Sequence, residues 1–263
     1  MNALIHRDYT RLGAVHVRME SDGIVISNPG GFVEGVTLEN LLVVEPRPRN
    51  PLLADIVKRI GLAERTGRGV DLIYKGLLRY GRPAPNYNRS DAHSVVLQMS
   101  NAKADIPFLQ LIIAEEERTR EPLPVDSLIA LAQLRTERRL DVSSLAKTIQ
   151  KDIPAAKAVL ERLVEAGLVK AYGVQTRTYS LSRKVYQQLG QSTEYARQAS
   201  IPAGQQEQWI LEHAQDYNRI TRTEVIEICG LSETQASRLL GRLVEEGKLL
   251  KKGKSRGTHY VPK

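Results

Sequence analysis

Leu160-Glu161-Arg162-Leu163-Val164-Glu165-Ala166-Gly167-Leu168 returns 80 residues later as Leu240-Gly241-Arg242-Leu243-Val244-Glu245-Glu246-Gly247-Lys248. The register holds upstream, where Leu145 aligns with Val225, Ile149 with Cys229, Ala156 with Ala236 and Val159 with Leu239. Downstream it slips by one residue, since Tyr179 corresponds to Tyr260. A fixed period of this length marks one structural unit used twice. Both copies close on an alternating stretch, Arg177-Thr178-Tyr179-Ser180-Leu181 and Gly257-Thr258-His259-Tyr260-Val261, which is the period-two signal of a strand.

Capping residues divide each copy into helices. In the second, Thr221-Arg222-Thr223-Glu224 is a capping-box pattern that predicts a helix over 222–229, with Gly230 to end it. Ser232-Glu233-Thr234-Gln235 is another, opening a helix that runs to about Glu246 before Gly247 stops it. Ala236, Leu239, Leu240, Leu243 and Val244 fall on one face of that helix. In the first copy Asp141 or Ser143 caps a helix over 144–150, Asp152 and Pro154 open the next, and Gly167 ends it. Helix, tight turn, helix, glycine and hairpin in this order resemble the winged helix-turn-helix family, over roughly 125–182 and 205–263.

That resemblance implies a DNA interface. In such modules the second helix of the motif enters the major groove with its N-terminal, solvent-facing residues. In the second copy these are Thr234, Gln235, Ser237 and Arg238, with Arg242 a turn further on. Gln can pair with adenine and Arg with guanine through two parallel hydrogen bonds. Beyond the helix, Lys251, Lys252, Lys254 and Arg256 flank two glycines at the hairpin turn, a cationic tip suited to a phosphate backbone. The first copy offers Ala155, Lys157, Ala158 and Glu161 at the matching helix positions and only Arg177 on its hairpin. DNA contact, dimerisation and packing against the rest of the chain are its alternative roles.

Charge follows the same division. The chain carries 38 basic and 30 acidic side chains, and residues 183–263 hold 13 and 9 of them. A surplus of +8 suits a polyanionic partner. The single cysteine, Cys229, rules out an internal disulfide framework and a multi-cysteine zinc site. Its apolar setting, Val225-Ile226-Glu227-Ile228-Cys229, reads as that of a buried small hydrophobe. The sequence has no run of about 20 apolar residues and no signal-peptide core, so no membrane partner and a cytoplasmic location are expected.

Residues 1–102 have a different grammar. Val15 to Met19 and Gly23 to Ser27 alternate as strands around a hairpin signal at Ser21-Asp22-Gly23. Asn28-Pro29-Gly30-Gly31 reads as a turn, Leu52 to Ile60 and Gly69 to Leu78 as helices, and Ser94 to Met99 as a closing strand. Ile106 to Glu117 joins this α/β layer to the first repeat, and 183–200 reads as a connecting helix broken by Ile201-Pro202-Ala203-Gly204.

Five motifs in order, Asn2-Ala3-Leu4-Ile5-His6-Arg7-Asp8-Tyr9, Ile26-Ser27-Asn28-Pro29-Gly30, Arg49-Asn50-Pro51, Glu64-Arg65-Thr66-Gly67-Arg68-Gly69 and Gly81-Arg82-Pro83-Ala84-Pro85, carry a second resemblance. They are similar to the C-terminal part of bacterial and archaeal proteins described as transcriptional regulators or RecG-related helicases. In that family a divergent form of the gyrase and histidine-kinase ATP-binding fold precedes winged helices. The resemblance implies a nucleotide site: Asn2 in the place of the Mg²⁺-coordinating asparagine, Asn28 and Gly30 in an Asp-x-Gly motif, and Gly67 and Gly69 in the phosphate loop. Asn28 is neutral where the parent motif has a carboxylate that accepts the adenine amino group. The glutamate that polarises the attacking water would lie upstream of Asn2. The family also carries an N-terminal Schlafen-type (AlbA-like) domain, so a chain beginning within the Asn2 motif is expected to be a fragment or a shortened form. The sequence contains no Gly-x4-Gly-Lys-Ser/Thr loop, hence no motor chemistry of that kind. His6, Asp8 and His16 have no further ligand at metal-site spacing and read as structural.

The expected fold class is therefore α+β. A degenerate ATP-binding-fold-like α/β sandwich (1–102) is followed by a winged helix-turn-helix with a leading helix (103–182), then by a linker helix and a second winged helix-turn-helix (183–263). The expected function is that of a transcriptional regulator bound to double-stranded DNA, with no catalytic residues and no metal. No cofactor is expected, although the resemblance leaves room for ATP with Mg²⁺. The N-terminal domain would serve as sensor or oligomerisation scaffold in a homo-oligomer, most simply a dimer. The alternatives are a nucleotide-dependent enzyme fragment of ATPase or helicase type, and a winged-helix adaptor that contacts protein.

Overall fold

The computed structural model describes residues 1–62, 69–172, 177–189, 206–229, 231–253 and 258–263. Gly67, Gly230, Lys254, Arg256 and the expected helix break at 201–204 lie outside them, as does the connecting stretch beyond residue 189. The chain divides into two compact units, Met1–Ser182 and Arg183–Lys263. No helix among the described residues is long and apolar enough to cross a membrane.

The first unit opens with the short helix α1 (Asn2–Ile5), then β1 (His16–Glu20), β2 (Gly23–Pro29), α2 (Pro51–Arg59), α3 (Gly69–Leu78) and β3 (Ser94–Ser100). The strands form an antiparallel sheet in the order β1-β2-β3. Glu20 pairs with Gly23 across the two-residue turn Ser21-Asp22, as the hairpin signal predicts. Ile5 packs on Ala54 and Val57 of α2, which anchors the short first helix through its one buried side chain.

One local expectation fails here. Asn28-Pro29-Gly30-Gly31 is not a free turn, because β2 continues through Pro29. Asn28 pairs with Val95 and Pro29 with Ser94, and the Gly30 amide donates to the His93 carbonyl at 2.8 Å. Pairing with a strand some 65 residues away extends the ladder, and Pro sits only at its last position, where a missing N–H is tolerated.

The same unit continues with α4 (Ile106–Thr119), α5 (Val125–Glu137), β4 (Leu140–Asp141), α6 (Val142–Ile149), α7 (Ile153–Glu165), β5 (Val169–Tyr172) and β6 (Thr178–Leu181). A small antiparallel sheet in the order β4-β6-β5 closes on Leu140 opposite Tyr179. Phe108, Ile112, Leu128, Leu131, Leu145, Ile149, Leu160 and Leu163 are fully buried and make one contiguous apolar core possible. Helix α5 also packs against α3. At that seam Arg135 donates to Asp105 at 3.0 Å and to the Gly81 carbonyl, and lies over the Phe108 ring at 4.7 Å. Arg79 adds an ion pair to Glu116 at 2.5 Å. These contacts fuse the N-terminal layer and the helical module into one unit.

The second unit contains α8 (Arg183–Gln188), α9 (Gln206–Tyr217), α10 (Arg222–Cys229), α11 (Glu233–Glu245), β7 (Leu249–Lys252) and β8 (His259–Pro262). The hairpin pairs Leu249 with Pro262 and Lys252 with His259. Ile220 adds a third edge through two 2.7 Å backbone hydrogen bonds with Tyr260, matching the Leu140–Tyr179 pair of the first repeat. Gly167 and Gly247 both sit at φ 70°, the left-handed conformation that stops a helix at no side-chain cost. Ile210, Ala214, Val225, Ala236, Leu240, Leu243 and Leu249 form the core, and Cys229 is buried among the apolar positions as the sequence pattern predicts.

Candidate nucleic-acid interface

Ser232 is the N-cap of α11, and its capping box is complete: the Gln235 amide N–H donates to Ser232 Oγ at 3.3 Å while Gln235 Oε1 accepts from the Ser232 N–H at 2.9 Å. Alternation of buried and exposed positions then fixes which side chains can meet a partner. Ala236, Leu240 and Leu243 face the core, whereas Thr234, Gln235, Ser237 and Arg238 are exposed on the first turn and a half. Because Gln235 spends its carbonyl oxygen on the cap, the group it can still offer in this conformation is its NH2 donor. Two-point pairing with adenine would require the capping box to open.

Arg242 is exposed but engaged. It meets Glu207 of α9 at 3.3 Å and Glu246 at 3.8 Å. Lys248 joins the same network through Glu207 and, at 2.7 Å, Glu246. The hydrogen bonds that Lys248 donates to Glu207 and Glu246 hold its ammonium above its ordinary pKa, and the Lys248 contact holds the Glu246 carboxyl below the usual carboxylate range. Arg242 therefore braces α11 against α9 and could reach a phosphate only by leaving its carboxylates. Lys251 and Lys252 stand exposed on β7, and Lys254 and Arg256, which follow in the sequence, lie outside the described residues. Sequence reasoning missed Arg222, which pairs with Glu233 at 2.8 Å. Its capping-box position is visible in the sequence, but its partner lies across the motif's turn.

The corresponding surface of the first repeat is differently built. Asp152 caps α7 by accepting from the Ala155 N–H at 2.9 Å, and Ile153, Lys157 and Ala158 are exposed. Glu161 lies 3.6 Å from both Lys157 and Arg177, so one carboxylate balances the two cations nearest this face. Lys151 is drawn to Asp126 of α5 at 2.6 Å. At the end of α6, Gln150 takes a left-handed φ of 58° and uses both halves of its amide: it accepts from the Leu42 N–H at 2.8 Å and donates to the Leu38 carbonyl at 2.6 Å.

The residues of the expected nucleotide site fall into two groups. Asn2 lies against the first turn of α3, so close that a Cβ on Gly69 would collide with its amide. Gly30, at φ 89°, sits under Asp8 and Arg49, where a Cβ would again collide. Asn28 is 5% exposed, and its amide donates to the Pro29 carbonyl at 3.3 Å. The Arg49-Asn50 motif acts as a staple: Arg49 donates to the carbonyls of His6 and Gly31, and Asn50 to those of Ile5 and Arg7. Burial, helped by Arg49, lowers the His6 pKa and favours the neutral ring. Hydrogen bonds from Thr10 hold the Asp8 carboxyl below its usual range. Among the described residues no three His, Cys, Asp or Glu side chains converge in a metal-holding group.

Residues 13–98 match the family model described as "Putative ATP-dependent DNA helicase recG C-terminal". Residues 209–249 match the model for winged helix-turn-helix DNA-binding domains. No curated protein matches the chain. Among solved structures, the fold is similar to that of the DIP2311 protein from Corynebacterium diphtheriae, at a TM-score of 0.65 and 23% identity. The similarity covers 100% of this chain and 48% of that one, so the chain spans about half the length of its solved counterpart. The chain therefore joins a segment that matches the RecG C-terminal-like, ATPase-type model to one that matches the winged helix-turn-helix model.

Proposed function

We propose that the chain is a transcriptional regulator that binds duplex DNA through the winged helix of its second unit. The observation that carries this reading is the exposed start of α11, with Thr234, Ser237 and Arg238 facing solvent, followed by a hairpin strand bearing Lys251 and Lys252. Side chains at such a helix start read base edges, and lysines on the hairpin grip phosphates. On this reading Gln235 donates to a base, Lys254 and Arg256 extend the phosphate grip, and Arg242 contributes chiefly by bracing α11.

Residues 125–182 form a second winged helix turned inward. Its three helices and hairpin repeat the order of the C-terminal module, with β4 in the place of the Ile220 bridge, but Gln150 is committed to residues 38–42 and Glu161 offsets Lys157 and Arg177. This module thus serves as scaffold, and the ATPase-type domain fused to it serves as sensor or oligomerisation surface. A homodimer would set two α11 helices on half-sites related by a two-fold axis. The protein acts by binding and not by catalysis: Asn28 supplies a neutral amide at the adenine position, and no Gly-x4-Gly-Lys-Ser/Thr loop is present.

The test is a salt titration of duplex binding, followed by fluorescence anisotropy. Each neutralised phosphate contributes about 0.9 to the log–log slope. Replacing Lys251 and Lys252 by Ala should flatten the slope by roughly 2 units. Absence of duplex binding at low salt would overturn the reading, and an unchanged slope would remove the hairpin from it.

A further inference from the structure

Within the second winged helix, one ion pair spans the helix-turn-helix motif. Arg222 is the first residue of α10 and Glu233 the first residue of α11, and Arg222 Nη2 lies 2.8 Å from Glu233 Oε1. Both side chains are open to solvent, at 51% and 69% exposure. In the first repeat the positions 80 residues upstream are Val142 and Ile153, so the charged bridge belongs only to the copy assigned to DNA.

A carboxylate at the start of a groove-entering helix is an unusual choice, because it faces a polyanion. Arg222 offsets that repulsion locally and holds the carboxylate in one orientation. A carboxylate has about four acceptor positions and no donor, so acceptor capacity is left over after the contact with Arg222. In the major groove guanine shows two acceptors, thymine an acceptor and a methyl group, and adenine an acceptor beside its amino donor. Cytosine alone shows only a donor, its N4 amino group. An acceptor-only side chain therefore discriminates best in favour of cytosine.

We propose that Glu233, positioned by Arg222, selects cytosine at one base pair of the DNA site. The inference rests on the duplex-binding reading and adds a specificity residue to it. Arg222 acts as a positioning residue, held 2.8 Å from the carboxylate it orients.

The experiment selects bound sequences from a random duplex pool, using the full chain as wild type, Glu233→Gln and Arg222→Ala. Gln keeps the size of Glu and leaves the Ser232–Gln235 capping box untouched, so the melting temperature of Glu233→Gln should stay near that of wild type. Wild type should enrich cytosine at one position. Glu233→Gln should shift that position toward adenine, which Gln pairs at two points, with cytosine discrimination falling roughly tenfold. Arg222→Ala should relax the same position and weaken binding to all sequences. If wild type selects a site and Glu233→Gln selects it with unchanged ratios at every position, this inference is overturned while DNA binding stands. If wild type enriches no duplex, DNA binding falls and the inference with it.

Discussion

Asp141 shows how much a single cap can carry. Its carboxylate accepts from the Ser144 N–H and Ser144 Oγ, both at 2.8 Å, and from Ser143 Oγ. These hydrogen bonds, the Ser143 hydroxyl first, pull its pKa down to about 2. The unfolded chain titrates near 3.8, so the stabilisation is complete above that pH and is lost as pH falls from 3.8 toward 2. Asp141→Ala should therefore lower stability by about 1 kcal/mol at pH 7, measured by urea denaturation, and the difference from wild type should shrink at pH 2. A gap that persists unchanged at pH 2 would refute the assignment. Sequence offered both Asp141 and Ser143 as caps. The carboxylate prevails because it can accept several donors at once, including the Ser143 hydroxyl itself. Cys229 follows the same local logic: burial pushes its thiol up to about 12, as suits a residue used as a small hydrophobe.

At the scale of elements, the informative contact is the clamp between the end of α6 and residues 38–42. Gln150 holds φ 58°, a conformation that disfavours any residue with a Cβ by roughly 1 kcal/mol. Its equivalent 80 residues on is Gly230, the residue type expected at a helix end. The first repeat thus keeps a strained glutamine where the second has glycine, and gains two hydrogen bonds to a distant loop. Gln150→Gly should relieve the backbone while releasing the loop. Hydrogen exchange should show the Leu42 amide accelerating at least about tenfold, with the amides of α6 and α7 as protected as before. Unchanged exchange at Leu42 would mean that the clamp contributes nothing.

For the molecule as a whole, the relation between the ATPase-type layer and nucleotide is the leading question. Asn2 and Gly69 are in contact, and Gly30 is wedged under Asp8 and Arg49, so these positions of the expected nucleotide site are taken up in packing. Asn28 is buried, bonded to its own strand, and neutral where the resemblance implies a carboxylate. Millimolar Mg·ATP should therefore shift the melting temperature by less than about 1 °C. A site filled at 100 times its dissociation constant would add about 2.7 kcal/mol, and a shift of several degrees would restore a working nucleotide site.

The two repeats, their helix starts at Asp141, Asp152, Thr221 and Ser232, and their glycine stops at Gly167 and Gly247 were legible in the sequence. Each depends on groups within four or five residues of one another, and such short-range hydrogen bonding and φ preference are encoded where they act. So was the exposed face of α11, because helical period alone separates Ala236, Leu240 and Leu243 from Thr234, Ser237 and Arg238. Only the tertiary structure decided the rest. It ran β2 through Asn28-Pro29, tied Arg242 to Glu207, joined Arg222 to Glu233 and clamped Gln150 onto residues 38–42. These join residues 11 to 112 positions apart. No local propensity specifies such pairings; they arise when burial of the separate apolar faces brings distant polar groups within reach.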